Sequence, residues 1–185
     1  MLLHMRIDAG LSEDVPAIVA IEQTPEYRSY IGSWSADEHL RMMASADNEY
    51  FIARDTAGSV DGFAILQGVQ SEHRNLHLKR IAVRAPNRGV GRALLEHVMA
   101  RAFEHHGAHR FWLDVFDTNA RARHLYAAYG FREEGTMREA ILRDGEYHTL
   151  VLMSLLDREY TPGVHGGVHS EATGSRKRGY FSQAR

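Results

Sequence analysis

Two short stretches hold residues whose types and spacing can do chemistry. The first is Arg88-Gly89-Val90-Gly91-Arg92-Ala93, which follows the run Leu78-Lys79-Arg80-Ile81-Ala82-Val83. A strand that turns on glycines into a helix aims unpaired backbone amides at one point, and the helix dipole adds positive potential there. Glycine permits positive φ and lets a phosphate approach the backbone closely. Arg88 and Arg92 add positive charge. These features describe a pyrophosphate cradle; the plain alternative is a strand–helix corner whose glycines only make the turn. A Walker loop would need Gly-Lys-Ser/Thr, which is absent, and a dinucleotide fingerprint would need Gly or Ala where Leu94 stands.

The second stretch runs from Asn119 to Phe131 and reads Asn-Ala-Arg-Ala-Arg-His-Leu-Tyr-Ala-Ala-Tyr-Gly-Phe. On a helix, Asn119, Ala122 and Tyr126 fall on one face. The small side chains Ala122 and Ala127 leave room beside Tyr126. A tyrosine hydroxyl has a reference pKa of about 10, so at neutral pH it keeps its proton and can donate it or a hydrogen bond. Two structural readings stand beside this one. Tyr126 can be a half-buried helix aromatic like Tyr129, and Asn119 can be a helix-start residue.

Together the two stretches resemble the GNAT superfamily of acyl-CoA N-acyltransferases. Arg88 to Ala93 matches its Arg/Gln-x-x-Gly-x-Gly/Ala signature. The later run matches every named position of Asn-x-x-Ala-x-x-Leu-Tyr-x-x-x-Gly-Phe, and the resemblance covers roughly residues 5–156. It implies that Arg88, Gly89 and the amides of Val90, Gly91, Arg92 and Ala93 bind the coenzyme A pyrophosphate. It also implies that the backbone of Ile81, Ala82 and Val83 pairs with the pantetheine arm, and that Asn119 contacts the coenzyme. Tyr126 would lie by the thioester sulfur as general acid. The expected activity is transfer of an acetyl group from acetyl-CoA to a primary amine, directly in a ternary complex, with no metal. The partner is then a small-molecule amine or a protein N-terminus. A homodimer is common in the superfamily. The pattern from Gly135 to Tyr147 resembles bacterial acetyltransferases of the ribosomal-protein N-terminal type. Two rivals remain: a non-catalytic acyl-CoA-binding sensor on the same scaffold, which would not need Tyr126, and a phosphate-nucleotide-binding domain.

An amine must lose a proton to attack, and no single base stands out. Glu22 and Glu26 flank the segment after the first helix, Asp114 precedes the tyrosine helix, and His148 follows an Asp-Gly turn. Lys79 and Arg80 stand where some relatives of the resembled family carry an acid. The segment Glu22 to Trp34 is aromatic and acidic; it either lines an acceptor site for a cationic amine or caps the core.

These residues need a scaffold, and the rest of the chain describes one. It has 185 residues, enough for one core. The net charge of -2 gives no reason to expect nucleic acid. There are no cysteines, which excludes disulfides, thiolate metal sites and a cysteine nucleophile. The start is too short and too soon polar for a signal peptide, and no apolar run is long enough for a membrane span, so a cytoplasmic protein with no membrane partner is expected. The composition changes near Thr161. Four Arg/Lys against one Glu follow in a Gly/Ser-rich context that cannot offset its ordering entropy. The expected organisation is an N-acetyltransferase domain over residues 1–158 and a flexible tail over 159–185. His165 and His169 in that tail are read as solvated.

Before the tail, strand and helix patterns alternate, which predicts an α/β fold. The expectation is a single domain with a GNAT-like mixed, mostly antiparallel sheet flanked by helices. Strands are predicted over 5–9, 49–54, 60–70, 76–84, 110–115, 131–136 and 147–155. Helices are predicted from Ser12 as N-cap to Thr24, from the capping box Ser35-Ala36-Asp37-Glu38 to about Ala44, over 92–106 and over 118–129. Gly107 and Gly130 stop the last two.

Overall fold

The structure is a computed structural model that describes residues 5–28 and 30–163. The side chains of Glu26 and Arg28, residue 29 and the greater part of the predicted tail lie outside the described residues.

Seven strands form one sheet in the order β1-β2-β3-β4-β5-β7-β6. They are β1 (Arg6–Ala9), β2 (Asn48–Arg54), β3 (Val60–Gln67), β4 (Asn75–Val83), β5 (Arg110–Phe116), β6 (Arg132–Arg143) and β7 (Glu146–Leu156). Every adjacent pair is antiparallel except β4 with β5. The helices are α1 (Val15–Glu22), α2 (Pro25–Arg28), α3 (Ala36–Met43), α4 (Val90–Ala100) and α5 (Ala120–Ala128). The mixed, mostly antiparallel α/β sheet is the one expected.

Side-chain alternation sends each strand's residues to two cores. On one face Ile18 and Ile21 of α1 pack against Tyr50, Ile52, Phe63, Ile65 and Ala82. On the other, Leu94, Leu95 and Val98 of α4 pack against a larger cluster that includes Phe111, Leu113, Val115 and Tyr126. The three leucine and valine side chains are fully buried, each stabilising the fold by about 1.5–3 kcal/mol relative to exposure.

The parallel pair is short. β4 and β5 are in register only at Asn75↔Arg110, Leu76↔Phe111 and His77↔Trp112. Beyond His77 the strands part, so one edge of β4 has no neighbouring strand. A bulge sits at the same place: Ile65 faces Arg80 and Leu66 faces Leu78, which leaves Lys79 as the extra residue. A bulge bends a strand and increases its twist, which suits a strand leaving its neighbour.

Several boundaries differ from the sequence expectation. Ser12 does not cap α1. It opens a 3-10 turn, Ser12–Asp14, and the Asp14 carboxylate accepts the Leu11 amide at 2.9 Å. The helix expected from Arg92 starts at Val90, and its last turn, Arg101–His105, is a π-helix. β6 runs to Arg143 rather than ending near Thr136, carried past two irregularities by pairing with β7. The folded body also passes residue 158. Glu159 accepts the Leu156 amide at 3.1 Å, and the Tyr160 ring stacks on Phe103 at 4.5 Å. The Ser35 capping box is present as expected.

Candidate functional site

Where β4 and β5 part, they open a cleft of about 850 Å³, within the usual range for a ligand site. One wall is β4 from Leu78 to Val83, the other is β5 from Leu113 to Phe116, and the glycine turn closes one end. Tyr27, Tyr30 and Ile31 line it as well.

The glycine turn has the geometry that anion binding needs. Gly89 is the N-cap of α4 at φ +81, a conformation open to glycine at little cost. Val90, Gly91 and Arg92 follow with first-turn amides that have no intrahelical acceptor, and all three line the cleft. Ala93 differs. Its amide donates the first intrahelical bond, to the Gly89 carbonyl at 3.0 Å, so it is not free in the way the three before it are. Arg88 lines the cleft, and its guanidinium lies 3.4 Å from the buried Asp61 carboxylate, which also binds Arg84. Asp61 thus holds both guanidinium groups, of which Arg88 is the one that lines the cleft. Arg92 is exposed at the cleft mouth.

The free edge of β4 is readable from one bond. The Val83 amide donates to the Tyr27 hydroxyl at 3.2 Å, so it points into the cleft and away from β3. The Arg84 amide, one residue on, donates to Asp61 on the β3 side at 2.7 Å. Strand alternation then places the amide and carbonyl of Ile81 on the cleft edge with those of Val83, while the Ala82 amide faces β3. An extended chain laid along this edge would pair with Ile81 and Val83 like an added strand.

Tyr126 lies on α5 and is 7% exposed. Burial, then the charge of Asp114, then Tyr27, push its hydroxyl well above the usual tyrosine range, so it stays protonated at any physiological pH. Asn119 caps α5 and accepts the Ala122 amide at 3.1 Å while also lining the cleft. Its structural role therefore holds; a coenzyme contact would be an addition to it.

Leu113 and Val115 share the core that holds Tyr126, so Asp114 between them projects from the opposite face. Tyr126 and Asp114 therefore flank the parting of the strands from two sides. Among the described cleft-lining residues Asp114 is the only carboxylate. Burial pushes its pKa up, but the hydrogen bond and charge of His77, with Lys79 behind, outweigh burial and hold it below the ordinary range.

The acidic acceptor segment is only partly what its sequence suggested. Glu22 is fully buried and faces inward. Its carboxylate pairs with Arg80, accepts the Trp34 amide at 3.0 Å and lies 3.4 Å from His39 Nε2. Burial raises its pKa, yet His39, Arg80 and the Trp34 amide together bring it below the ordinary value. The Arg80 guanidinium stacks on Trp34 at 3.9 Å. Glu22 is thus the counter-ion of a cleft-lining arginine and does not face the cleft as a base. Tyr27 and Tyr30 do line it, whereas the Glu26 side chain lies outside the described residues. His148 packs on cleft-lining Phe116 at 5.2 Å. Among the described residues no group of three or more histidines and carboxylates is placed to hold a metal, and no helix is long and apolar enough to cross a membrane.

A sheet split between its fourth and fifth strands, with an amide-rich turn at one end, defines a class. The description of the acetyltransferase (GNAT) family matches residues 15–131. A ribosomal protein bS18-alanine N-acetyltransferase of Escherichia coli is 36% identical over 124 residues, covering 65% of this chain and 76% of that one. The chain belongs to the GNAT family, whose acetyltransferases use acetyl-CoA. A spermidine N(1)-acetyltransferase of Vibrio cholerae is 28% identical over 111 residues, and the match spans 60% of this chain but only 64% of that relative's length. The fold also superimposes on the crystal structure of spermidine N-acetyltransferase from Vibrio cholerae in complex with CoA and spermine. That match has a TM-score of 0.74 at 24% identity and covers 84% of this chain and 97% of the other.

Proposed function

We propose that the protein moves an acetyl group from acetyl-CoA directly to a primary amine in a ternary complex. The observation that carries this reading is the placement of Tyr126 and Asp114 on opposite faces of the gap between β4 and β5. The pyrophosphate binds the amides of Val90, Gly91 and Arg92, with Arg88 and Arg92 supplying charge. The pantetheine arm takes the free edge of β4 at Ile81 and Val83 and displaces the Tyr27 hydroxyl from the Val83 amide. The thioester then lies in the gap.

A neutral amine enters on the face that bears Asp114 and attacks the thioester carbonyl. Backbone amides of β4 stabilise the oxyanion. As the carbon–sulfur bond breaks, the electron pair leaves with sulfur towards Tyr126. A thiolate whose acid has a pKa of about 8.5 is a weaker base than a tyrosinate. Tyr126 therefore acts first as a hydrogen-bond donor to the developing charge, and the thiolate is finally protonated from Tyr126 or water. The amine loses its proton to Asp114. The products are the amide and free coenzyme A.

Lys79 and Arg80 line the acceptor side beside Asp114. This balance favours an α-amino group, such as a protein N-terminus or an amino acid, over a polycation. An α-amino group, with a pKa of about 7.7–8.0, also needs less help to deprotonate than a polyamine nitrogen. The test is thiol release from acetyl-CoA with free-N-terminus peptides, amino acids, spermidine and aminoglycosides. The expected result is faster release with α-amines than with spermidine. Tyr126→Phe should lower kcat about 100-fold and leave acetyl-CoA affinity intact. Equal turnover of the two proteins removes Tyr126 from the mechanism. Tight coenzyme binding without release for any amine overturns the enzyme reading itself.

A further inference from the structure

We propose that the acceptor amine also carries a carboxylate, and that Arg80, with Arg143 at the rim, receives it. The substrate class is then the free amino acids, not peptides or polyamines. This deepens the transfer reading above and rests on it. Arg80 stands on the acceptor face. Its side chain packs against Glu22 of α1 and Trp34, on the face to which Asp114 projects across the gap. It lines the cleft although its side chain is only 6% exposed. One guanidinium nitrogen donates to Glu22, and the Trp34 ring covers one face of the plane at 3.9 Å. Stacking leaves the edge of the plane open. The other two nitrogens have no hydrogen-bond partner among the described residues, and neither is fully sealed from solvent. The pyrophosphate has its own cations at the glycine turn. A nearly buried arginine is thus held in place, charged, with donors to spare on the cleft side. Such a fork matches a carboxylate.

A second guanidinium stands close by. Asp114 and Phe116 share one face of β5 by strand alternation. Arg143, the last residue of β6, lies over the Phe116 ring at 5.0 Å. Its Nη2 lies 3.0 Å from where a Cβ on Gly32 would stand. Both arginines therefore reach the segment 32–34, one from β4 and one from β6. Burial lowers the Arg143 pKa; Asp144 opposes this and the charge of Arg80 adds to it. Two like charges placed this near each other disfavour one another until an anion joins them. Their counter-charges do not face a ligand. Glu22 is fully buried behind Arg80, and Asp144 sits in the exposed turn outside the cleft lining.

The arrangement reads both poles of an amino acid. The amine goes to the thioester in the gap, the carboxylate to Arg80, and the side chain to Tyr30, Ile31 and Phe116, which line the cleft. The bond changes are those given above: nitrogen–carbon forms, carbon–sulfur breaks, and the carboxylate is unchanged. A peptide has a neutral amide where the carboxylate would be, so it loses the charge-assisted bonds. A polyamine brings a cation against Arg80. A site built to bond a group strongly rejects an analogue that lacks it.

The experiment is thiol release from acetyl-CoA with leucine, methionine and phenylalanine, each as free acid and as α-amide, beside a tripeptide with a free N-terminus and spermidine. The amide keeps the amine and side chain and removes the negative charge. Losing that charge also lowers the amine's pKa, so reactivity alone favours the amide, and a preference for the acid belongs to the site. The expected kcat/KM is at least about tenfold higher for the best free acid than for its amide. Arg80→Met would strand the buried Glu22 carboxylate, so it is combined with Glu22→Leu. This double variant should bring the acid-to-amide ratio near one, through a loss on the acid alone, with acetyl-CoA affinity unchanged. Arg143→Gln should lower the ratio about threefold, and it carries the comparison if the double variant no longer binds acetyl-CoA. A ratio that survives in the double variant overturns the role of Arg80. Amides, the tripeptide or spermidine used as well as the free acids overturn the substrate class, while acetyl transfer stands. Release with no amine of the panel fails the transfer reading itself, and the acceptor assignment with it.

Discussion

The two ends of the cleft are built in different ways. The coenzyme end is local: one strand, one turn and one helix start, all within residues 78–93, supply its amides and most of its charge. The acceptor end is assembled from far apart. Arg80 on β4 is held by Glu22 on α1 and covered by Trp34, while Asp114 on β5 faces His77 on β4. The first end binds a ligand part with fixed chemistry through backbone groups, which any sequence with the right turn can offer. The second must recognise a particular amine, so it uses side chains whose charge state depends on partners brought in by the fold.

If that contrast is right, the largest effect on stability comes from the acceptor end. Glu22→Ala leaves the Arg80 guanidinium, 6% exposed at its side chain, without its counter-ion. Removing one partner of a buried pair costs about 3–5 kcal/mol, a fall in Tm of more than about 6 °C for a chain of this size. Thermal unfolding measures it. The double change Glu22→Leu with Arg80→Met should recover much of the loss, because an apolar pair of similar volume has no charge to strand. A single variant as stable as the parent would show that the pair is exchangeable surface charge and would erase the difference between the ends.

The same contrast explains what could be read from the sequence. The glycine turn, the helix after it and the Asn119-to-Phe131 stretch were legible because their partners lie within a few residues, and turn chemistry and helical spacing act over that range. Asn119 was read as a helix-start residue as well as a coenzyme contact, and the first of these readings is the cap that the structure shows. Ala93 was placed in the cradle because its residue type fits the motif; only the Gly89 carbonyl, four residues back, shows that its amide is taken. Glu22 was one of several candidate acids at the edge of a segment that could line the acceptor or cap the core, and the choice stayed open because nothing in its neighbourhood reveals an arginine 58 residues on. His77 left no signal at all. Its hold on Asp114 exists only because β5 runs parallel to β4 for three residues and then departs.

The coenzyme end can be tested through its backbone. Gly89 sits at φ +81 with no atom within 4 Å of the place a Cβ would occupy. Gly89→Val therefore meets no steric wall; its cost is conformational, about 1–3 kcal/mol for a branched residue held there. If the turn must keep this shape to hold the pyrophosphate, acetyl-CoA affinity falls about tenfold or more, with kcat at saturation little changed. Gly89→Asn should lose less, since asparagine visits this region more readily. Titration calorimetry decides it. Equal losses for valine and asparagine would mean that the turn conformation is not what binds.

The smallest expected effect belongs to a charged brace outside both ends. Glu49 on β2 accepts from Arg101 Nε at 2.8 Å and lies 3.1 Å from His106 Nε2, tying the sheet to the π turn that ends α4. Burial pushes its carboxyl up, but Arg101 and His106 outweigh burial and bring the pKa to about 2. A carboxyl whose folded pKa is depressed contributes its stability in full above the unfolded value, about 4.3, and loses it as pH falls towards the folded one. Glu49→Gln should therefore cost about 1–2 kcal/mol at pH 7, discounted for the partly exposed Arg101 partner. The gap to the parent should narrow below about pH 4 and close near pH 2. Neither acetyl-CoA affinity nor kcat should move, because no atom of the brace lines the cleft. Unfolding at several pH values, run beside the thiol-release assay, checks both halves of that statement. A change in kcat without a change in coenzyme affinity would mean that the far end of α4 reaches the acceptor side through the sheet, and the two ends could no longer be treated as separately built.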